Sequence, residues 1–234
     1  MTESSPGKRA PGRGLAPVAT LSRRDAAANE IRRSIVLGHV KPGEKLTEIQ
    51  MAEWLNVSRP TVREALNQVV QEGLVIQEPY RGLRVASMDD TSLIDLARTR
   101  MALDMLAIDG ILADTSGRRW EVVEEGWRQY KQMAFDTDPF VQHAGHLSFH
   151  ESIWAASENA MLLKLWPVTR AHMTLALAQD QAIRQDPERA YHVHEVLMGV
   201  LRSGDREAIK AALEEHTMHS VKELLELLTT KENQ

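Results

Sequence analysis

Two short helical patterns separated by a tight break are the feature that most constrains the fold of this chain. The first pattern covers residues 48–56 and the second covers residues 58–72. Ser58 is a suitable N-cap for the second helix, and Pro60 fits its first turn because the missing N–H of proline is not needed there. Two short helices joined by so few residues predict a helix-turn-helix unit.

The residues on either side of this unit indicate a winged fold. A helical stripe of apolar residues precedes it in residues 21–37, and Gly73 is a suitable end for the second helix. Residues 74–76 and 83–85 have the composition of short strands, and the turn residues 79–82 lie between them. We therefore predict three helices followed by a two-stranded wing.

The rest of the chain has helical periodicity and no strand pattern. Turn signals divide it into six helices, and they lie at residues 115–117, 136–139, 158–159, 186–187 and 203–204. The predicted fold class is therefore mainly α. Its parts are a disordered basic tail at residues 1–19, a winged helix-turn-helix domain at residues 20–88 (the head) and a six-helix antiparallel bundle at residues 89–230 (the body).

The charge of the chain is divided unevenly between these parts. The net charge is −5, but residues 1–88 carry +4 and residues 89–234 carry −9. A basic head on an acidic body suggests that only the head binds a polyanion. The absence of cysteine excludes disulfides and thiolate metal sites, and no apolar run approaches the roughly 18 residues of a membrane span. These features predict a cytoplasmic protein with no membrane partner.

The polyanion site is predicted on the helix that starts at Ser58. Arg59 and Arg63 lie one turn apart on one face, and arginine binds guanine with two hydrogen bonds. Hydroxyls and helix N-terminal amides suit phosphate oxygens. The spacing fits equally well a solvated face on which the arginines pair with Glu64 and others. The candidate DNA-binding residues are Ser58, Arg59, Thr61, Arg63 and, at the wing tip, Arg81 and Gly82.

Residues 35–85 resemble the DNA-binding domain of the GntR family of transcription regulators. The matching segments are GHVKPG at 38–43, LTE at 46–48, NVSR at 56–59, VREAL at 62–66, EGLV at 72–75 and RG at 81–82. The resemblance implies that Arg59 and Arg63 read double-stranded operator DNA. Many members have threonine before proline at these two positions, whereas this chain has Pro60 before Thr61. This reversal puts in question which hydroxyl contacts the DNA.

Four histidines of the body are predicted on the inward sides of their helices. His146 and His150 are four residues apart and share a helical face, whereas His194 and His216 lie on the apolar stripes of two later helices. Converging imidazoles suit a divalent transition metal such as Zn, Ni, Cu or Fe. Each of these histidines taken alone is more often a satisfied core or surface residue than a ligand.

The other histidines of the body divide into two groups. His172 is predicted on an inner face, where it would line a pocket and contact an effector. The remaining three, which are His143, His192 and His219, are predicted to be solvated.

Residues 91–228 resemble the FCD effector domain of the FadR branch of GntR regulators. The resemblance rests on Arg100 and Asp104, on Phe149-His150 followed by residues 157–159, and on the positions of His194 and His216 around residues 204–205. Six helices suggest the VanR-like subgroup. Many members hold a divalent metal through one aspartate and three histidines, which implies His150, His194 and His216 as ligands. His146 stands where those members have the aspartate, so that four imidazoles favour Zn or Ni over Mg or Ca.

Arg100 lies on the apolar stripe of the first helix of the body. A guanidinium that faces a core needs a partner, and Asp104 one turn later is the simple one. A ligand carboxylate is the functional alternative, because arginine binds carboxylates in a fork. The resemblance implies that Arg100 and the metal hold a small organic acid together.

These features predict a homodimeric regulator of operator DNA that responds to a small carboxylate. The residues leave open whether the effector releases or promotes DNA binding, and the resemblance implies a repressor that the effector releases. Two alternatives remain open on sequence grounds. One is a metal-dependent enzyme fused to a DNA-binding head, although no nucleophile–base pair stands out. The other is a metal with a purely structural role. The protein is expected in the bacterial cytoplasm, at the nucleoid when it is bound to DNA.

Overall fold

The computed structural model describes residues 22–184 and 186–232, and the predicted tail at residues 1–19 lies outside them. Within this part, the chain is mainly α-helical with one small sheet, as predicted. None of the helices described there is long and apolar enough to cross a membrane.

The head begins with the three predicted helices: α1 (Arg23–Val36), α2 (Glu48–Leu55) and α3 (Arg59–Gln71). Asn56 makes the break between α2 and α3 with a left-handed backbone, φ 50°. Ser58 caps α3 by accepting the backbone N–H of Thr61, and Pro60 occupies the first turn. The buried face of α3 packs against α1 and fixes the opposite face outward. This buried face consists of Val62, Ala65, Leu66 and Val69.

The sheet of the head has three strands in the order β1-β3-β2, one more than predicted. The two predicted strands are β2 (Val75–Glu78) and β3 (Gly82–Val85), and β1 (Lys45–Leu46) pairs antiparallel with β3. The prediction missed β1 because a strand of two residues has no periodicity to detect. Gly82 has a φ of 80°, which only glycine adopts without strain, and this residue closes the turn into β3.

The body consists of the six predicted helices, of which the last is divided into segments. The helices are α4 (Asp90–Leu112), α5 (Arg118–Met133), α6 (Pro139–Ala156), α7 (Ala160–Arg184), α8 (Pro187–Leu201), α9 (Arg206–Glu214) and α10 (Ser220–Glu232). A π-helical turn, Glu215–His219, joins α9 to α10 without a break. Such turns are rare, and they occur frequently at functional sites. This one contains His216.

The head and the body are in direct contact. Ala171 and Leu175 of α7 are buried within the apolar core of the head. Arg33 of α1 forms an ion pair of 2.6 Å with Asp138, which caps the start of α6. The helix that carries His146 and His150 is therefore tied at its N-terminus to the head.

Candidate recognition surface and metal centre

The two arginines at the start of α3 lie on its exposed face, as predicted. Arg63 binds both carboxylate oxygens of Glu48 in α2, with Nε at 2.7 Å and Nη2 at 2.9 Å. Arg59 lies 3.7 Å from the same carboxylate. The expected pairing with Glu64 is thus not the one observed. Glu48 was not among the candidate residues, because only the packing of α2 against α3 brings it within reach.

The remaining candidates of the head surround these arginines or lie on the wing. The hydroxyls of Ser58 and Thr61 are 2.8 Å apart and exposed. Arg81 is exposed at the wing tip, 3.7 Å from Glu78, and Gly82 makes the turn beside it. Tyr80 at the same tip is fully exposed and was not a candidate. The sequence alone does not show that Tyr80 is exposed, so it could not identify this residue as a candidate for contact with DNA.

The histidines predicted to converge do so in the core of the body. Ligand nitrogens of His146, His150 and His194 lie within 4.8 Å of one another. His216 lies beside them, with its ring centre 4.7 Å from that of His194 and 5.2 Å from that of His150. Three of the four are buried and His146 is partly buried. Helix α6 supplies two of the rings, α8 supplies one and the π-helical turn supplies one.

The nitrogens of this cluster fit a transition metal. The Nε2 atoms of His150 and His194 are 3.1 Å apart, close to the roughly 3.4 Å that separates two ligands of a tetrahedral zinc site. The Nδ1 of His194 donates to the Ala190 carbonyl at 2.6 Å, which leaves the Nε2 lone pair for the cluster. Nε2 of His146 and Nδ1 of His216 are buried without any hydrogen-bond partner. Such orphaned nitrogens carry a desolvation cost that a metal would offset.

Arg100 extends into the same cluster from α4. Its Nε lies 3.2 Å from Asp104, and its Nη2 lies 2.8 Å from Nδ1 of His150. Oδ1 of the buried Asp104 carboxylate accepts the indole N–H of Trp154 at 2.6 Å, and Oδ2 forms the ion pair with Arg100 without hydrogen-bond geometry. The simple partner predicted for Arg100 is therefore present. This ion pair with Asp104 leaves Nη2 of Arg100 facing the histidines.

A cavity of about 130 Å³, the inner cavity, opens beside these groups. Its walls include Arg100, His146, His194 and His216, together with apolar residues of α4, α7, α8 and α10. Asp180 and Arg189 line it as well, and Arg189 is paired with Glu223 outside the cavity lining. The cavity therefore places two guanidinium groups, one carboxylate and several imidazole nitrogens around a small, largely apolar space. Such a space suits a small ligand with one acidic group.

Two histidine predictions are wrong. His172 is exposed, its Nδ1 lies 2.8 Å from the Val168 carbonyl, and it is absent from the described walls of the inner cavity. His143, predicted to be solvated, is buried near the hydroxyl of Thr174. Both errors concern the rotation of a helix about its axis, which the packing of α7 against α6 and against the head decides. His192 and His219 are exposed, as predicted.

Burial keeps the imidazoles of this region neutral. Burial, together with the nearby Arg100, lowers the pKa of His194 to about 4, although the hydrogen bond to the Ala190 carbonyl opposes the shift. Burial likewise lowers the pKa of His143 to about 4 and holds the pKa values of His146, His150 and His216 well below the usual range. Neutral imidazole is the form that binds a metal.

We expect the metal-free protein to lose stability between pH 7 and pH 5. An unfolded histidine takes up its proton near pH 6.5, whereas folded His194 and His143 do so near pH 4. The stabilisation is complete above pH 6.5 and declines as the pH falls towards 4. At pH 5 the loss is about 2 kcal/mol for each histidine, about 4 kcal/mol for the pair. Urea denaturation in the presence of a chelator at pH 7, 6 and 5 measures it.

The exposed His192 provides the control for this measurement. His192→Gln should leave the pH dependence unchanged, whereas His194→Asn should reduce it. A free energy of unfolding that is equal at the three pH values would contradict the buried, neutral state of these side chains.

Both parts of the chain match known protein families. Residues 23–85 match the gntR family of bacterial regulatory proteins, and residues 95–219 match the FCD domain. The chain is 28% identical over 199 residues to a probable D-xylose utilization operon transcriptional repressor of Paenarthrobacter nicotinovorans. That alignment covers 82% of this chain and 86% of the relative.

Two solved structures share the fold. Escherichia coli McbR/YncC superimposes with a TM-score of 0.65 at 19% identity, over 88% of this chain and 99% of that one. A putative transcriptional regulator GntR from Rhodococcus sp. RHA1 superimposes with a TM-score of 0.64 at 20% identity, over 88% of this chain and 98% of that one. At these identities the likeness establishes the arrangement of helices and strands alone.

Proposed function

Because the chain belongs to the gntR family of bacterial regulatory proteins and carries an FCD domain, it is a transcriptional regulator rather than an enzyme, and we propose that it is a repressor controlled by a small organic acid bound in the body. The observation that carries the proposal is the convergence of four neutral imidazoles on one arginine whose side chain is 11% exposed. A buried site of this composition has no role in packing that apolar residues would not fill better.

The head is proposed to read operator DNA as one half of a homodimer. Arg59 and Arg63 reach base edges from α3, Ser58 and Thr61 meet phosphates, and Arg81 beside Gly82 reaches from the wing. Two-fold symmetry of the protein is mirrored in a near-palindromic operator. The pairing of both arginines with Glu48 supports this role, because it holds their guanidinium groups in place on the exposed face in the absence of DNA.

The metal is proposed to be held by His146, His150, His194 and His216, with Zn or Ni as the preferred ions. When bound, it supplies a Lewis acid to which a carboxylate of the effector binds. Ligands from α6, α8 and the π-helical turn also join three parts of the body, which is the observation that favours a structural contribution. The two roles differ in what happens on removal of the metal: only a sensory metal is required for effector binding.

Charge explains why the effector is proposed to be an acid. Arg100 and Asp104 compensate each other, Arg189 is paired with Glu223, and the imidazoles are neutral at pH 7. A divalent cation in this cluster therefore adds two positive charges to a buried site, which an anion compensates. His146 in place of an aspartate leaves one negative charge fewer than the resemblance implies for many members. The effector is thus required to supply more of the negative charge.

Effector and DNA are proposed to oppose each other. If the acid binds preferentially to an arrangement in which the spacing of the two heads does not match that of the operator half-sites, affinity for the operator falls. By reciprocity, operator DNA then weakens binding of the acid by the same factor.

The test is a calorimetric titration of small carboxylic acids into zinc-loaded protein, with and without a chelator. Arg100→Lys keeps the charge that Asp104 requires but loses the fork, so we expect affinity for the acid to fall at least about tenfold. Arg98→Lys, at an exposed position of the same helix, is the matched control and should bind like the wild type. Binding that survives both the chelator and Arg100→Lys would overturn the proposed site.

A further inference from the structure

A second and larger cavity lies at the junction between the head and the body. Its volume is about 420 Å³, more than three times that of the inner cavity. Val36 and Leu37, at the end of α1, form the side that belongs to the head. The opposite side is formed by α5, α6, α7 and the start of α8. The volume falls within the range of pockets that hold small organic molecules.

This junction cavity adjoins the inner cavity. Four residues line both of them: His146, Leu177, Asp180 and Ala190. His146 therefore stands between the two spaces, with its Nε2 buried and without a hydrogen-bond partner. A ligand that is held at the histidine cluster therefore lies against the wall that the two cavities share.

The lining of the junction cavity differs from that of the inner cavity. The inner cavity contains Arg100 and Arg189, whereas the described lining of the junction cavity contains no lysine or arginine. Asp180 lines both cavities, and the junction cavity adds a second carboxylate, that of Asp186. His143 is neutral there, because burial lowers its pKa to about 4. Much of the remaining wall is apolar: Val36, Leu37, Ala134, Pro139, Leu177 and Pro187. A second acidic group is disfavoured in this space, and an uncharged hydrocarbon chain or ring is favoured.

We propose that the junction cavity takes the uncharged tail of an effector whose acid group lies in the inner cavity beside Arg100. This inference rests on the proposed function and specifies its ligand as a monocarboxylate with a tail of several carbons. The tail contacts Val36 and Leu37 directly, at the end of the helix whose Arg33 is paired with Asp138 at the start of α6. The number of carbons in the tail thereby determines whether the bound acid contacts the head.

The experiment uses zinc-loaded, full-length protein and straight-chain monocarboxylates from acetate to octanoate. Calorimetry measures affinity, and hydrogen exchange of the end of α1 reports whether the tail reaches the head. We expect affinity to rise about fourfold for each methylene that enters the junction cavity. Octanoate should slow exchange at residues 33–40, and acetate should leave it unchanged.

The decisive variant places a larger side chain from the head in the junction cavity. Leu37→Trp should weaken octanoate binding at least tenfold and leave acetate binding within twofold. Leu165→Trp, at an exposed position of α7 outside the described lining of both cavities, is the matched control. If Leu37→Trp does not fold, Leu37→Gln makes this part of the cavity wall polar without adding bulk. It should lower the gain in affinity for each methylene of the acid.

The outcomes separate this inference from the proposed function. Acetate that binds with no gain from a longer chain, or Leu37→Trp that weakens both acids equally, would overturn the inference alone. Octanoate that binds equally well to Arg100→Lys would overturn it as well, because the apolar site would then be independent of the acid site. Failure of every acid to bind, whatever its length, would contradict the proposed function itself.

Discussion

His150→Ala is expected to reduce zinc affinity at least about 100-fold, so that the protein is purified with little bound metal. His150 lies at the centre of the cluster, with its Nε2 3.1 Å from that of His194 and its ring centre 5.0 Å from that of His146. Loss of a second-shell partner of a metal ligand already costs 10–100-fold in affinity, and loss of a ligand costs at least as much. Elemental analysis after dialysis and a zinc competition titration measure the effect.

Two further variants sharpen this result. His192→Ala removes an exposed histidine of the same domain and should leave the metal content unchanged. His146→Asp keeps a ligand-competent side chain and adds a negative charge, so the metal should still bind, with its preference shifted towards harder ions. Equal metal content in His150→Ala and the wild type would exclude the site described here.

Arg63→Ala is expected to abolish most of the preference for the operator over unrelated DNA. A bidentate arginine–guanine contact contributes about 1–3 kcal/mol of discrimination, which is about 10–100-fold for each half-site. Non-specific binding should survive, because it depends on phosphate contacts that the remaining basic residues make. Binding titrations on an operator selected from random DNA, repeated at several salt concentrations, separate the two effects. Arg59→Ala should behave similarly.

Glu48 provides a variant with the opposite effect. Glu48→Gln removes the carboxylate that pairs with both arginines in the free protein, so affinity for DNA should rise, mainly for unrelated sequences. Glu30→Gln, at an exposed position of α1, is the control for the loss of a negative surface charge. Unchanged operator preference in both Arg59→Ala and Arg63→Ala would contradict the assignment of α3 as the recognition helix.

Local sequence signals predicted most of the elements of this protein. Ser58 and Pro60 mark the start of α3, and the turn residues of the body divide its helices at the observed positions, because capping and turn preferences act within a few residues. The histidine pair at 146 and 150 required only the periodicity of one helix. Strand β1 was missed because its two residues form a strand only by pairing with β3.

Sequence patterns alone predicted the order of the helices and of strands β2 and β3, the charge difference between head and body, and the four histidines that face inward on three helices. Tertiary structure decided how far each helix is rotated and which helices meet. It exposed His172, buried His143, and brought Glu48 to Arg63 and Arg100 to His150. It also created the cavity between the end of α1 and His146, whose walls come from five separate segments. Periodicity records which face of a helix is apolar, whereas a site depends on the close packing of several such faces against one another.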